Sequence, residues 1–490
     1  MKASVDLFMK FVSTRDVTRK EYNPSEVIKA GIAPDGGLFF PTEIPKFSKY
    51  ELIGMMPLSY ADRAARVIGA YLTDLDRADI EKSCRAAYCD SSFPGGAAPV
   101  VSAGGKYFLE LYHGPTCAFK DMALQLMPRL LALSVKRSGT SGDAVILVAT
   151  SGDTGKAALE GFADVEGTRI AVFFPAGGVS EIQKKQMCTQ RGGNVAVFGV
   201  EGNFDDCQSA VKSVLCDAAM REYLKERGCF FSSANSINFG RLVPQVAYYV
   251  SASLDIGEEC CVTVPTGNFG NILAAYMAKR SGAPIGKLIC ASNRNNVLTD
   301  FFNTGVYDRR RKFYLTSSPS MDILISSNLE RLLWLVCGPE KTALYMRELK
   351  EEGAFSVDRS TLDILRRDFA AYYADEKQVS AAIAESWRKN AYLIDTHTAA
   401  GLHAAEEYKK ETGDARPMLV VSTASPFKFA PAVCSALGIR SGDGFAAADA
   451  LAEFTGKEIP APISAIRGMP DRFTRTVSGA DIASAVKSFI

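Results

Sequence analysis

A lysine and two glycine-rich turns are the parts of this sequence with chemistry to offer. Lys120 closes the run Tyr112-His113-Gly114-Pro115-Thr116-Cys117-Ala118-Phe119-Lys120-Asp121 and has apolar neighbours. A lysine desolvated by such neighbours gives up its proton more readily and suits Schiff-base chemistry with a carbonyl. Residue types alone favour the plainer alternative, a surface lysine beside a turn. The turns are Thr150-Ser151-Gly152-Asp153-Thr154-Gly155 and Thr266-Gly267-Asn268-Phe269-Gly270-Asn271, each placed after an apolar run and before a helical stretch. Free N–H groups and the helix dipole attract an anion there, and glycine lets it approach the backbone. Neither turn is a P-loop, because Gly155-Lys156 is followed by Ala157 and lacks the upstream glycine; neither spells GxGxxG. One such turn is ordinary punctuation. Two in one chain suggest two anions, such as a cofactor phosphate and a substrate carboxylate.

Other chemistries find little support. The 12 cysteines are scattered, mostly in apolar runs such as Cys260-Cys261-Val262, without a CxxC pair, and the 3 histidines are His113, His397 and His403. That leaves no closely spaced set of four ligands for zinc, so no metal is expected, and the cysteines read as reduced, buried, small apolar residues. Lysine plus arginine (56) nearly cancel aspartate plus glutamate (55), which gives no electrostatic case for nucleic acid or an anionic membrane. The run Arg309-Arg310-Arg311-Lys312 reads as a solvated loop. No segment reaches the ~18 consecutive apolar residues of a membrane span. Asp6 and Lys10 interrupt the apolar N-terminus before a signal sequence forms. The expectation is a cytoplasmic protein.

The elements that must position the lysine and the turns follow from the apolar pattern. At 490 residues, the chain exceeds what one hydrophobic core supports. Residues 1–100 read as a mainly helical domain, with a helix start at Asn23-Pro24-Ser25-Glu26, and the Gly/Pro/Ser-rich stretch 91–99 marks its boundary. Beyond it, short apolar runs at 144–149, 169–174, 194–200, 261–265, 287–291 and 418–422 read as strands, with helical stretches such as 204–225 and 272–280 between them. Continuous apolar strands alternating with helices predict parallel sheets covered on both faces. The strands are too many for one compact sheet, so the expected fold class is α/β with two α/β units. Residues 101–145 with 240–490 form the larger and 146–239 the smaller.

The motifs then resemble a known family. His113-Gly-Pro-Thr-Cys-Ala-Phe-Lys120-Asp121 is similar to the cofactor-lysine segment of threonine synthases, and Ser151-Gly-Asp-Thr-Gly155 to their SGDTG turn. Asn235-Ser-Ile-Asn-Phe-Gly-Arg241, Gly267-Asn-Phe-Gly270, Ser422-Thr-Ala-Ser-Pro-Phe-Lys-Phe429 and Gly31-Ile-Ala-Pro-Asp-Gly-Gly-Leu38 also look familial. The matches keep the family's order over most of the chain, and the length resembles the longer fungal and enterobacterial type. The resemblance implies a fold-type-II pyridoxal-phosphate enzyme, similar to the tryptophan synthase β-subunit, that converts O-phospho-L-homoserine and water into L-threonine and phosphate. It implies that Lys120 carries pyridoxal 5'-phosphate and serves as acid and base. Gly267, Asn268, Phe269, Gly270 and Asn271 would hold the cofactor phosphate, and Thr423 would meet the pyridine nitrogen. Ser151, Asp153 and Thr154 would lie by the substrate carboxylate. Asn235, Ser236 and Arg241 would hold the substrate phosphate, with Lys185 a weaker candidate.

Plainer readings stand beside these. Arg241 has the reading of a surface arginine, Lys184-Lys185 of a solvated pair, His397 of a hydrogen-bonded structural histidine, and Cys117 of packing. Asn271 stands where the family often has aspartate, which a backbone-built cup tolerates, and Ser425 where it often has histidine, so Ser425 receives no role. Two other activities use the same kind of site: a phospholyase releasing 2-oxobutyrate, ammonia and phosphate, and a serine or threonine dehydratase, which needs no place for a second phosphate. A non-catalytic relative is a third alternative, and Lys120 with both anion turns speaks against it. The expected partner is the small substrate, with neither nucleic acid nor membrane, in a monomer or homodimer whose smaller unit closes over the substrate.

Overall fold

Two parallel sheets carry the turns. The computed structural model describes residues 8–150, 152–177 and 179–490; Ser151, expected at the site, lies outside them. The larger sheet has six strands in the order Phe369–Tyr373, Ile285–Ser292, Cys260–Pro265, Met418–Ser422, Lys106–Glu110 and Val100–Ala103. Its neighbours pair in parallel except the last two, which run antiparallel at the edge. The smaller sheet is parallel throughout, in the order Thr476–Val477, Val195–Val200, Thr168–Pro175, Asp143–Ala149 and Cys229–Ser232. Every residue of Cys260–Pro265 and Val195–Val200 is buried, as unbroken apolar strands between two helical layers must be.

The N-terminal region is helical at Pro24–Ala30, Lys49–Met55, Tyr60–Tyr71 and Arg77–Ala87, and adds a short antiparallel pair, Phe11–Ser13 with Phe39–Pro41. It docks on the long buried helix Phe239–Ile256, where the Phe239 ring meets Phe11 at 4.7 Å and Tyr71 at 5.8 Å. Burying such rings contributes ~1.5–3 kcal/mol each. No helix among the described residues is long and apolar enough to cross a membrane.

Two features depart from the apolar pattern. The helical stretch expected over 204–225 is two helices, Phe204–Cys216 and Ala218–Glu226, because Asp217 turns extended and its side chain accepts the N–H of Ala219 at 2.9 Å. The C-terminal segment, grouped above with the larger unit, joins the smaller sheet. Thr476–Val477 pairs with Gly199–Val200, and Val477, Ile482, Ala485 and Val486 pack with Val200, Cys207 and Val211.

Parallel strands put their C-terminal ends at one edge of a sheet, where open α/β folds bind ligands. Asp143–Ala149 delivers the turn at Thr150, Cys229–Ser232 the segment at Asn235, Cys260–Pro265 the turn at Thr266, and Met418–Ser422 Thr423. Lys120 follows Lys106–Glu110.

Candidate active site

The lysine segment is bolted to the strand end that carries Thr423. Phe119 N donates to Thr423 O at 2.8 Å and Ser425 N to Cys117 O at 3.0 Å, with an antiparallel bridge between Ala118 and Ala424. The reversal is sharp: Cys117 has φ 57°, and a Cβ on Gly114 would stand 2.6 Å from the side chain of Asp121. Asp121 accepts from Thr116 N at 2.8 Å and Thr116 Oγ1 at 2.7 Å, and burial pushes its carboxyl up to about 6. The Cys117 thiol is likewise pushed up by burial, to about 12, so it is packing rather than a reactive thiolate.

Lys120 opens a short helix and is only 9% exposed. Its Nζ donates to Ser320 Oγ at 3.0 Å and lies 3.5 Å from Asp153 Oδ2. Burial lowers its pKa, and the nearby positive groups Lys428 and Arg241 work the same way, against the opposing pull of Asp153. This is the desolvated amine that Schiff-base chemistry asks for.

Asp153, at the start of the helix Asp153–Phe162, is a crossing point. Its Oδ1 takes Lys428 Nζ at 2.9 Å and Gln183 Nε2 at 2.9 Å. Burial would raise its pKa, but Lys428 and Lys120 hold it far below the usual carboxylate range. Lys428 is itself buried, and its second anchor is Thr116 O at 2.8 Å. The turn before the helix is built by Thr150, whose Oγ1 accepts the N–H groups of Gly152 and Gly155, each at 3.0 Å. Thr154 follows Asp153 in the first turn of that helix.

The second turn forms a cradle at the start of the helix Gly270–Arg280. Phe269 sits at φ 64°, and the leading N–H groups of a helix have no acceptor within it. The carbonyls face the other way and are occupied: Gly267 O accepts Ser326 Oγ at 2.6 Å, and Asn268 O accepts Asn328 N at 3.0 Å and Asn328 Nδ2 at 2.9 Å. Gly267 is obligatory, since a Cβ there would stand 2.4 Å from Ser320 O. Both Tyr248 and Tyr249 donate to Asn271 Oδ1, and the buried Asn271 Nδ2 has no acceptor among the described residues. Open N–H groups, an orphaned amide donor and a desolvated lysine fit a phosphate-bearing carbonyl cofactor.

The third cluster follows Cys229–Ser232. Asn235 Oδ1 accepts Ile237 N and Ser236 Oγ, both at 3.2 Å, and Asn238 caps the helix Phe239–Ile256 through Gly240 N at 2.8 Å. Arg241, 5% exposed, gives one N–H to Ala234 O at 3.0 Å, and its buried Nε has no acceptor among the described residues. Burial lowers its pKa to about 10. A guanidinium taken out of water costs several kcal/mol unless an anion meets it. Lys120, Lys428 and Arg241 thus set three buried basic groups against the carboxyls of Asp153 and Asp121, an arrangement that favours an anionic ligand.

Several of these residues carried no signal in the sequence. Lys428 lies in an apolar run much as Lys120 does, so the same criterion could have found it. Ser320, Asn328 and Arg331 sit in stretches with no chemical pattern. Asn328 Nδ2 also reaches Ser236 O at 3.3 Å, and the fully buried Arg331 donates to Ile237 O at 2.6 Å and Phe39 O at 2.9 Å, tying the cradle to the Asn235 segment. Lys185 is drawn elsewhere: its Nζ pairs with Asp471 at 2.8 Å.

Three family models match the chain. The family model "Pyridoxal-phosphate dependent enzyme" matches residues 101–424, "Threonine synthase N terminus" residues 10–88, and "Threonine synthase, C-terminal" residues 398–490. "Threonine synthase-like 1" of Homo sapiens is 41% identical over 459 residues, which are 88% of this chain; the chain spans 61% of that relative's length. "Threonine synthase" of Pseudomonas aeruginosa is 38% identical, over 87% of this chain and 90% of the relative. The crystal structure of PLP-bound threonine synthase from Brucella melitensis superposes with a TM-score of 0.89 at 36% identity, over 98% of this chain and 99% of that one. Threonine synthase from yeast gives 0.89 at 31%, over 98% of each.

Proposed function

Because the chain belongs to the threonine synthase family of pyridoxal-phosphate enzymes, we propose that it converts O-phospho-L-homoserine and water into L-threonine and inorganic phosphate. The observation that carries the reading is Arg241, a buried guanidinium near the desolvated Lys120 that has, among the described residues, no acceptor for its Nε and no carboxylate partner. A site for a simple hydroxy-amino acid would have no use for that second anion-seeking group.

Pyridoxal phosphate supplies an electron sink for the carbons beside the substrate amine. Lys120 would hold it covalently, the N–H groups of Asn268, Phe269, Gly270 and Asn271 would take its phosphate, and Thr423 would stand beside its ring. The chain's own residues do the rest. Lys120 Nζ moves protons at the substrate's Cα and Cβ, a task suited to an amine whose pKa burial has lowered. Arg241, with Asn235 and Ser236, meets the negative charge that grows on the departing phosphate. Asp153 and Thr154 would receive the substrate carboxylate through the N–H groups of their helix start, with Ser151, two residues earlier in the sequence, assisting. The Asp153 side chain is unsuited to that contact, being an anion already shared by two lysines. Lys185 would serve the phosphate only after parting from Asp471. Closure of the smaller sheet's unit over the substrate would keep water out until phosphate leaves. With all 12 cysteines free, a reducing compartment such as the cytoplasm suits the protein, as monomer or homodimer.

The test supplies O-phospho-L-homoserine to the purified protein and measures threonine, phosphate and 2-oxobutyrate together. Threonine equimolar with phosphate supports the proposal. Phosphate with 2-oxobutyrate and no threonine makes the protein a phospholyase.

A further inference from the structure

Ser320 and His397 stand beside Lys120 and have no part in the roles above. Asp395 is fully buried, and its oxygens accept from His397 Nδ1 at 2.6 Å, His397 N at 3.0 Å, Thr398 N at 3.0 Å and the Thr398 hydroxyl. A carboxylate has no proton to offer, so His397 Nδ1 carries the hydrogen and Nε2 is left as a lone pair. That lone pair accepts the backbone N–H of Ser320 at 3.2 Å. The imidazole is buried and set edge-on to Phe429, with ring centroids 4.8 Å apart, so it holds one orientation.

Ser320 is fixed on its other sides as well. Its carbonyl closes on Gly267 of the cradle. Its Oγ receives Lys120 Nζ at 3.0 Å and lies 3.5 Å from Asp153 Oδ2. A hydroxyl has one hydrogen. Turned toward the Asp153 carboxylate, it leaves only lone pairs for the amine, so one N–H of Lys120 is tethered and the lone pair of the neutral amine keeps a restricted set of directions.

We propose that Ser320 is a further catalytic residue and His397 its positioning residue: the Asp395–His397 pair holds the Ser320 hydroxyl as a fixed acceptor on Lys120 Nζ, which orients the amine for attack on the cofactor's aldehyde. In that condensation a carbon–nitrogen bond forms, and the aldehyde oxygen leaves as water with both hydrogens of the neutral amine. The inference rests on the reading of Lys120 as the lysine that takes the cofactor.

The experiment mixes the full chain, freed of cofactor, with pyridoxal phosphate, follows the rate of capture by absorbance, and identifies the labelled lysine by borohydride reduction and peptide mass. Loss of one hydrogen bond between neutral groups predicts that Ser320→Ala slows capture on Lys120 about fivefold. His397→Ala slows it through Ser320, so the double variant is no slower than Ser320→Ala alone. His397→Gln, which can offer an amide oxygen to the Ser320 N–H, recovers most of the rate. Capture on Lys120 at the parent rate in Ser320→Ala, effects of the two substitutions that multiply, or no recovery with glutamine would overturn the roles of Ser320 and His397. Label on a different lysine overturns the reading of Lys120 instead.

Discussion

Replacing Arg241 with methionine should move activity and stability in different directions. The guanidinium spends one terminal nitrogen on Ala234 O at 3.0 Å, and its Nε has no acceptor among the described residues. Methionine fills a similar volume without a charge. The change gives up one hydrogen bond, worth ~1 kcal/mol, but it also removes an unpaired buried cation whose desolvation costs several kcal/mol. The melting temperature should therefore stay level or rise. Toward substrate, two donors are lost, the Nε and the second terminal nitrogen. At ~1.5 kcal/mol for each charge-assisted bond, the low end of the range, kcat/KM should fall about a hundredfold or more. Calorimetry of the cofactor-loaded protein gives a second readout. Inorganic phosphate at 100 times its Kd should stabilise the parent by ~2.7 kcal/mol and leave the variant unmoved. A kcat/KM within threefold of the parent, together with intact protection by phosphate, would place the substrate phosphate somewhere other than Arg241.

Other substitutions test the rest of the charge cluster. Lys120→Ala should lower turnover by at least ~10²–10⁴ and abolish borohydride-stable labelling by pyridoxal phosphate, leaving the melting temperature of the cofactor-free protein nearly unchanged; labelling at full stoichiometry would refute the assignment. Lys428→Met leaves Asp153 with Lys120, at 3.5 Å, as its cation and should destabilise the protein by ~3–5 kcal/mol in urea titrations, and adding Asp153→Asn should recover part of that loss; simple additivity would show that the pair does not act as a unit. Asp121 has its pKa raised from 3.8 to about 6, so the folded state binds its proton more tightly and stability from this group falls as pH rises from about 4 to 6. Asp121→Asn should thus gain ~3 kcal/mol relative to the parent between pH 4 and pH 7, and an offset that does not change with pH would contradict the burial argument.

The sequence discloses those parts of the site whose chemistry is local. The turns at Thr150 and Thr266 are legible because an anion cradle at a helix start needs glycine at particular places, and Gly267 is needed here for a close approach to Ser320 O. Strands such as Cys260–Pro265 and Val195–Val200 are legible because burial on both faces requires an unbroken apolar run. Thr476–Val477 is not, since two residues carry no period and their pairing with Gly199–Val200 depends on where the chain returns. Asp217 is a helix breaker only once its side chain caps the next helix, which the surrounding apolar pattern conceals.

The site's electrostatics lie on the far side of that boundary, for a physical reason. Besides burial, what Lys120 meets is Asp153 from the smaller sheet's first helix, Ser320 from the short 3-10 helix Pro319–Met321, and Lys428 and Arg241 from the segments after two other strands. No window of sequence contains more than one of these groups. They meet because strands of both sheets end toward the same place, so the fold rather than any motif decides which charges share a low-dielectric pocket. Lys185 shows the converse. It is a cation in a plausible segment, and the same folding that gathers Lys120, Lys428 and Arg241 gives it Asp471, a partner from the returning C-terminal segment. Of these cations, Arg241 alone has no carboxylate partner and no acceptor for its Nε among the described residues, and that, rather than its motif, is the strongest argument that an anionic ligand belongs beside it.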